Sequence, residues 1–253
     1  MFRFYLKKLL RCPATFAGAV VLCLSMIVSV APIKQAAPLY LFQYAFEMGV
    51  THFFPPLACA LPVCFVRSAF RKGSAWQFPL LHSSPLRYSA GGLFAAYVSG
   101  AVTALLGYVL FFLFIAAAAP GSLTFSVYIR DDMHPFYSRL SGLELYLLKG
   151  FIFAANGGMF AAIAYAVSGF SSNQYLCAAS PFVLYMSVSY MSQHLAQLDQ
   201  KFFYLDPGQV ALIGICNWHK DGGLLYMGIY IGTVVLLCLI LFRLLLQRWL
   251  SNG

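Results

Sequence analysis

Charge is scarce in this sequence. Only 9% of its 253 residues are charged, and only seven residues are acidic, where a soluble domain carries roughly a quarter charged residues. Too few ionic groups are present to cover a water-soluble surface or to keep a chain disordered, so a soluble enzyme and a disordered chain are both excluded. Common chemical motifs are missing as well. There is no GxxxxGK[ST] phosphate loop, so the chain does not bind and hydrolyse ATP by that route. No His-Glu-x-x-His, no Cys-x-x-Cys pair and no Cys/His ligand spacing occurs, so neither a metal site nor a disulfide framework is indicated. The seven cysteines are odd in number, and Cys23, Cys59, Cys64, Cys177 and Cys238 sit inside apolar runs, where they read as small packing residues.

What is present is apolar. Hydrophobic residues make up 61% of the chain and aromatics 17%, gathered into long runs rather than periodic stripes. A bilayer core of about 30 Å needs roughly 20 residues of helix, and six runs qualify: 14–31, 53–70, 90–119, 145–170, 174–191 and 223–246. The expected fold is therefore all-α, one polytopic transmembrane domain over residues 1–253 with six spans. Pro55 and Pro56 open the second run, and Pro62 is expected to kink it. The first run follows Lys7, Lys8 and Arg11 as a signal peptide would. It is longer than a typical signal core, however, and Pro32 stands where cleavage would fall, so it is expected to stay uncleaved.

Basic residues cluster at the ends of the runs, and no basic stripe interleaved with aromatics or nucleic-acid motif appears, so the net charge of +9 is topogenic. With the N-terminus inside, the cytoplasmic segments hold ten basic residues (Arg3, Lys7, Lys8, Arg11, Arg67, Arg71, Lys72, Arg87, Arg243, Arg248) and no acidic ones. The outer segments hold Lys34, Arg130, Arg139, Lys149, Lys201 and Lys220, and all the acidic residues: Glu47, Asp131, Asp132, Glu144, Asp199, Asp206 and Asp221. An even number of spans then places both termini in the cytoplasm. Glu144 and Lys149 are expected as interfacial anchors at the start of span four.

Three connecting segments carry further information. Residues 1–15 set Phe2, Phe4, Tyr5, Leu9 and Leu10 against four cations, which suits a short helix lying in the interface; a frayed topogenic tail is the alternative. The loop Arg71–Tyr88 is longer than adjacent helices need and keeps Trp76, Phe78, Leu80, Leu81, Leu86 and Tyr88 on the cytoplasmic side. Either it presents an amphipathic turn to a cytosolic partner, or its aromatics lie in the headgroup belt. Between spans five and six, the apolar run 210–216 is too short to cross but suits a re-entrant segment.

Inside the spans, Asn156-Gly157-Gly158 breaks the regularity of span four. It either lines a substrate path or serves close helix packing, with Asn156 bonded to a neighbour. Gly100 with Ala104, and Gly228 with Gly232, are small-xxx-small pairs expected to pack helices. Ser168-Gly169 resembles a fragment of an intramembrane protease signature, but His52, His82, His134, His194 and His219 all fall in loops or at span ends, so no nucleophile and base meet. No acidic residue falls inside a span and no internal repeat is visible, which disfavours an ion-coupled carrier.

The order of features resembles the ABC-2 type permeases, membrane subunits of ATP-binding-cassette exporters. Phe54-Pro55-Pro56-Leu57-Ala58-Cys59-Ala60-Leu61-Pro62 is similar to the opening of their second helix. Leu80-Leu81-His82-Ser83-Ser84-Pro85-Leu86-Arg87-Tyr88 resembles their cytoplasmic coupling segment. Residues Ser171–Tyr175 and Ala179–Tyr185 resemble their tight turn into helix five, and Tyr204-Leu205-Asp206-Pro207-Gly208 the start of their extracytoplasmic re-entrant helices. One departure is that Arg67–Lys72 lacks the glutamate many members carry before the loop glycine, here Gly73, so a salt bridge from it is not implied. The resemblance implies a non-enzymatic permease subunit in a bacterial cytoplasmic membrane, a homodimer or a heterodimer with a second permease. It further implies a separate cytosolic ATPase that binds ATP and Mg, no cofactor in this chain, and no nucleic-acid partner. Coupling to that ATPase falls on Leu80, Leu81, Ser83, Pro85, Leu86, Arg87 and Tyr88. A membrane scaffold and an autonomous carrier are the rival readings.

Overall fold

The computed structural model describes residues 2–30, 38–47, 50–72, 84–118, 140–171, 173–199, 202, 205–207, 210 and 223–251. Among them the regular structure is entirely helical: α1 (Phe2–Leu10), α2 (Pro13–Val30), α3 (Pro38–Glu47), a 3-10 turn (Val50–Phe53), α4 (Pro55–Ala58), α5 (Leu61–Lys72), α6 (Pro85–Ala118), α7 (Gly142–Val167), α8 (Gln174–Ala196) and α9 (Gly223–Ser251).

Among the described residues, four segments are long and apolar enough to cross a membrane: Pro13–Val30, Pro85–Ala118, Gly142–Val167 and Leu224–Arg248. They correspond to runs one, three, four and six. At 34 residues α6 is about 51 Å long and overshoots the ~30 Å bilayer core. The second run is a broken helix rather than a kinked one. α4 ends at Ala58, the chain turns through Cys59 and Ala60, and Pro62 falls in the first turn of α5, where a missing N–H costs nothing. The fifth run lies in α8, which has the length at 23 residues but carries Ser180, Ser187, Ser189, Ser192 and Gln193 and is less apolar than the four. α3 lies between the first and second runs, outside every expected span.

Local chemistry fixes the helix ends. Pro13 and Pro85 each occupy a first helical position. The Ser84 hydroxyl accepts from the Arg87 N–H at 3.4 Å, so α6 starts on a capped, proline-set turn. α7 opens with a capping box: the Ser141 N–H donates to Glu144 Oε2 at 2.8 Å, and the Glu144 N–H returns to Ser141 Oγ at 3.3 Å. Glu144 is thus a capping residue. Asn173 caps α8, its Oδ1 accepting from the N–H groups of Tyr175 and Leu176.

α6 and α7 form the most extensive helix pair, and α2 packs on the other flank of α6. Small residues let the α6–α7 backbones approach. A Cβ added at Gly100 would overlap the Ala161 methyl, and one at Gly157 would sit 2.6 Å from Ala104 Cβ. Two apolar clusters result. One surrounds Phe42, Tyr108 and Phe153, with the Phe42 and Tyr108 rings edge to face at 4.5 Å. The other surrounds Tyr5, Tyr88, Tyr165 and Phe242. By contrast, no described atom outside their own helix lies within 4 Å of a Cβ built on Gly228 or Gly232. That pair therefore packs against no other helix among the described residues. The six described cysteines, all but Cys216, are free thiols.

Candidate functional site

A buried polar cluster centres on Arg67, in the middle of α5. Its guanidinium is buried, at 7% exposure, and no carboxylate bonds it among the described residues. Nε donates to Ser168 Oγ at 3.1 Å, just past the end of α7, and Nη1 donates to the Tyr88 hydroxyl at 3.1 Å, in the first turn of α6. The Tyr5 hydroxyl, from α1, donates to that same Tyr88 oxygen at 2.9 Å. Two rings face the cation: Tyr165 of α7 at 5.0 Å and Phe242 of α9 at 5.4 Å. One side chain thus ties together α5, the start of α6, the end of α7 and the bodies of α9 and α1.

Burying a cation is costly unless its hydration is replaced. Here hydroxyl oxygens and the negative faces of aromatic rings replace it. Ser168 is held in place by donating to the Tyr165 carbonyl at 2.6 Å. The Tyr165 ring reaches the cation because Gly92 lacks a Cβ, and an added methyl there would overlap the Tyr165 hydroxyl. Burial first, and then the neighbouring phenols Tyr165 and Tyr88, push the Tyr5 phenol well above its ordinary titration range, so it stays neutral and keeps its donor proton.

The coupling segment divides in this geometry. Leu80, Leu81 and Ser83 lie outside the described residues, as do Trp76 and Phe78. Pro85, Leu86, Arg87 and Tyr88 form the first turn of α6. Leu86 is 47% exposed and Arg87 is exposed, Pro85 is half-buried, and Tyr88 is 1% exposed. Tyr88 therefore faces the bundle and Arg67, while Leu86 and Arg87 face outward. Sequence reasoning placed Tyr88 with the outward group and assigned Arg67 only to topology. The overlooked signal was an aromatic residue near the same-side end of every expected span that meets Arg67.

The trio in span four lies in unbroken helix. Asn156 Nδ2 donates to the Ile152 carbonyl at 3.0 Å in its own helix and approaches Met227 Sδ of α9 at 3.8 Å. Gly157 faces Ala104, and a Cβ added at Gly158 would sit 2.8 Å from the Tyr97 ring. Lys149, expected at the interface, is fully buried within α7. At the far end of α8, Asp206 is buried, accepting from Ser189 Oγ at 2.6 Å and Gln193 Nε2 at 3.2 Å. The re-entrant run beyond Val210 lies outside the described residues. No group of His, Cys, Asp and Glu that could hold a metal occurs among the described residues. Comparison with protein-family models, with curated proteins and with solved structures gives no match to this chain.

Proposed function

We propose that this chain is the permease subunit of an ABC-2 type, ATP-driven exporter in a bacterial cytoplasmic membrane. It crosses six times, with the broken α4–α5 and the polar α8 as the second and fifth crossings and both termini in the cytoplasm. It works as a dimer with itself or a second permease, and ATP and Mg bind to a separate ATPase. The observation that carries the reading is the order of the four family-like stretches along the chain, the second of which ends on Tyr88. The Arg67 cluster supports it, because it gathers span ends that the charge asymmetry assigns to the cytoplasmic side.

In this mechanism the ATPase pair closes on ATP and pushes the segment 80–88. Leu86 and Arg87 meet the partner, and Ser84–Pro85 begin a rigid rod, so the push displaces α6 as a unit. Tyr88 carries that displacement to Arg67, and Arg67 to α5, α7 and α9. ATP does work on the membrane domain only by favouring one of two such packings. The test is ATP turnover of the complex reconstituted in vesicles. Leu81→Asp or Pro85→Asp should abolish the dependence of turnover on the permease while leaving membrane insertion intact. Wild-type coupling in both variants counts against the assignment. An autonomous carrier is the second reading, favoured by Lys149, an ionisable side chain buried inside a membrane-length helix; it would transport without any ATPase.

A further inference from the structure

We infer that the cleft between α7, α8 and α9 holds one acyl chain of a membrane lipid. α7 packs against both other helices, whereas α8 and α9 scarcely meet. The space between them is a cavity of about 440 Å³. Its walls are apolar, with Ile163 from α7, Pro181 and Val188 from α8, and Val234 and Leu237 from α9. Polar groups gather at one end only. There Pro207 lines the cavity beside Tyr185 and Tyr230, and the Tyr230 hydroxyl donates to the Leu205 carbonyl at 3.4 Å.

Three features select the occupant. The first is volume: at about 440 Å³ the cavity lies within the size range of sites that hold a small organic ligand and is far larger than a gap for one water. The second is length. The α9 wall runs from Tyr230 to Leu244, about 21 Å of helix, which exceeds half of the ~30 Å hydrocarbon core. An elongated ligand fits that path and a compact one does not. The third is access: Leu237, Leu241 and Leu244 line the cavity and are themselves exposed, so it opens sideways on an apolar face. An apolar cavity of this size does not hold water, and leaving it empty forfeits packing. The chain enters with its headgroup at the Tyr185–Tyr230 end and its methyl end toward Leu244. The inference needs only that these helices lie in a bilayer. It stands or falls apart from the coupling to an ATPase.

The probe is phosphatidylcholine with a diazirine in its acyl chain, reconstituted with the full-length protein, photolysed and mapped by peptide mass spectrometry. Adducts are expected on Ile163 and Val234, enriched over Phe151, which is exposed on α7 outside the cavity. Val234→Trp, and separately Ala166→Leu, should fill the space and lower the wall adducts about tenfold, a binding loss of ~1.4 kcal/mol, while leaving those on Phe151 unchanged. Equal labelling of Phe151 and the cavity wall in the wild type overturns the inference. So does cross-linking of the wall to a second copy of the chain instead of to lipid.

Discussion

Replacing Arg67 and Tyr88 singly and together measures whether the buried cluster is one connected unit. The variants are Arg67→Met, which keeps the length of the side chain, and Tyr88→Phe, which removes only the hydroxyl. Their contact is a charge-assisted hydrogen bond of 3.1 Å between residues at 7% and 1% exposure. Such bonds contribute about 1.5–3 kcal/mol in proteins, whereas interhelical bonds in membranes average about 0.6 and reach about 1.7 kcal/mol. The second hydrogen bond to Ser168 and the two ring contacts hold the guanidinium in place, so little is lost to reorientation. A coupling free energy of about 1–1.5 kcal/mol is therefore expected. Single-variant losses are a poorer measure, because removing a buried cation also relieves its desolvation. The assay is reversible unfolding of the detergent-solubilised protein for wild type, both singles and the double. Arg67→Met paired with Phe242→Leu provides the ring-contact control, expected at about 0.5–1 kcal/mol. Additivity of Arg67→Met and Tyr88→Phe within ~0.3 kcal/mol would refute the claim that Tyr88 transmits to Arg67.

Four further outcomes follow from the same geometry. Leu86→Asp and Arg87→Glu, both on the outward side of α6, should change unfolding free energy by less than about 0.5 kcal/mol yet abolish association with the ATPase in a pull-down. Gly92→Ala should force the Tyr165 ring from its place and destabilise by about 1–3 kcal/mol, read as a fall in Tm, whereas Gly228→Ala should leave Tm unchanged or slightly raised. Ser141→Ala should cost about 1 kcal/mol by opening the capping box of α7, measured in the same assay. Because burial holds the Tyr5 phenol neutral above its ordinary range, its bond to Tyr88 should persist through pH 9. Ionisation would cost folded-state stability only above the unfolded phenol's pKa of about 10, so a Tyr5→Phe difference in stability that shrinks between pH 6 and 9 would contradict this.

Much of the fold was legible because α2, α6, α7 and α9 are written as uninterrupted apolar runs, and length against bilayer thickness is a strong constraint. The turn before α8 was visible in the polar residues Ser171-Ser172-Asn173, the last of which proves to be the cap. The break after Ala58 was not, since Pro62 drew the expected kink forward; proline is tolerated in the first turn of a helix, and the turn at Cys59–Ala60 carries no residue that announces it. Lys149 was misplaced because hydropathy reports position along a helix but not which face it buries. Arg67 shows the same limit more sharply. A cation at a span end satisfies the positive-inside rule, so nothing local distinguishes a headgroup contact from a buried hub. The distinction comes from Tyr5, Tyr88, Tyr165 and Phe242, which lie far apart in sequence and meet only when five helices pack.

The most direct test of the export reading is mild-detergent purification of the tagged chain from its native membrane, with every stoichiometric partner identified. The account predicts a P-loop ATPase that is lost when Leu81 is changed to Asp and retained in Tyr88→Phe. A folded, monodisperse chain that reproducibly carries no ATPase would contradict it.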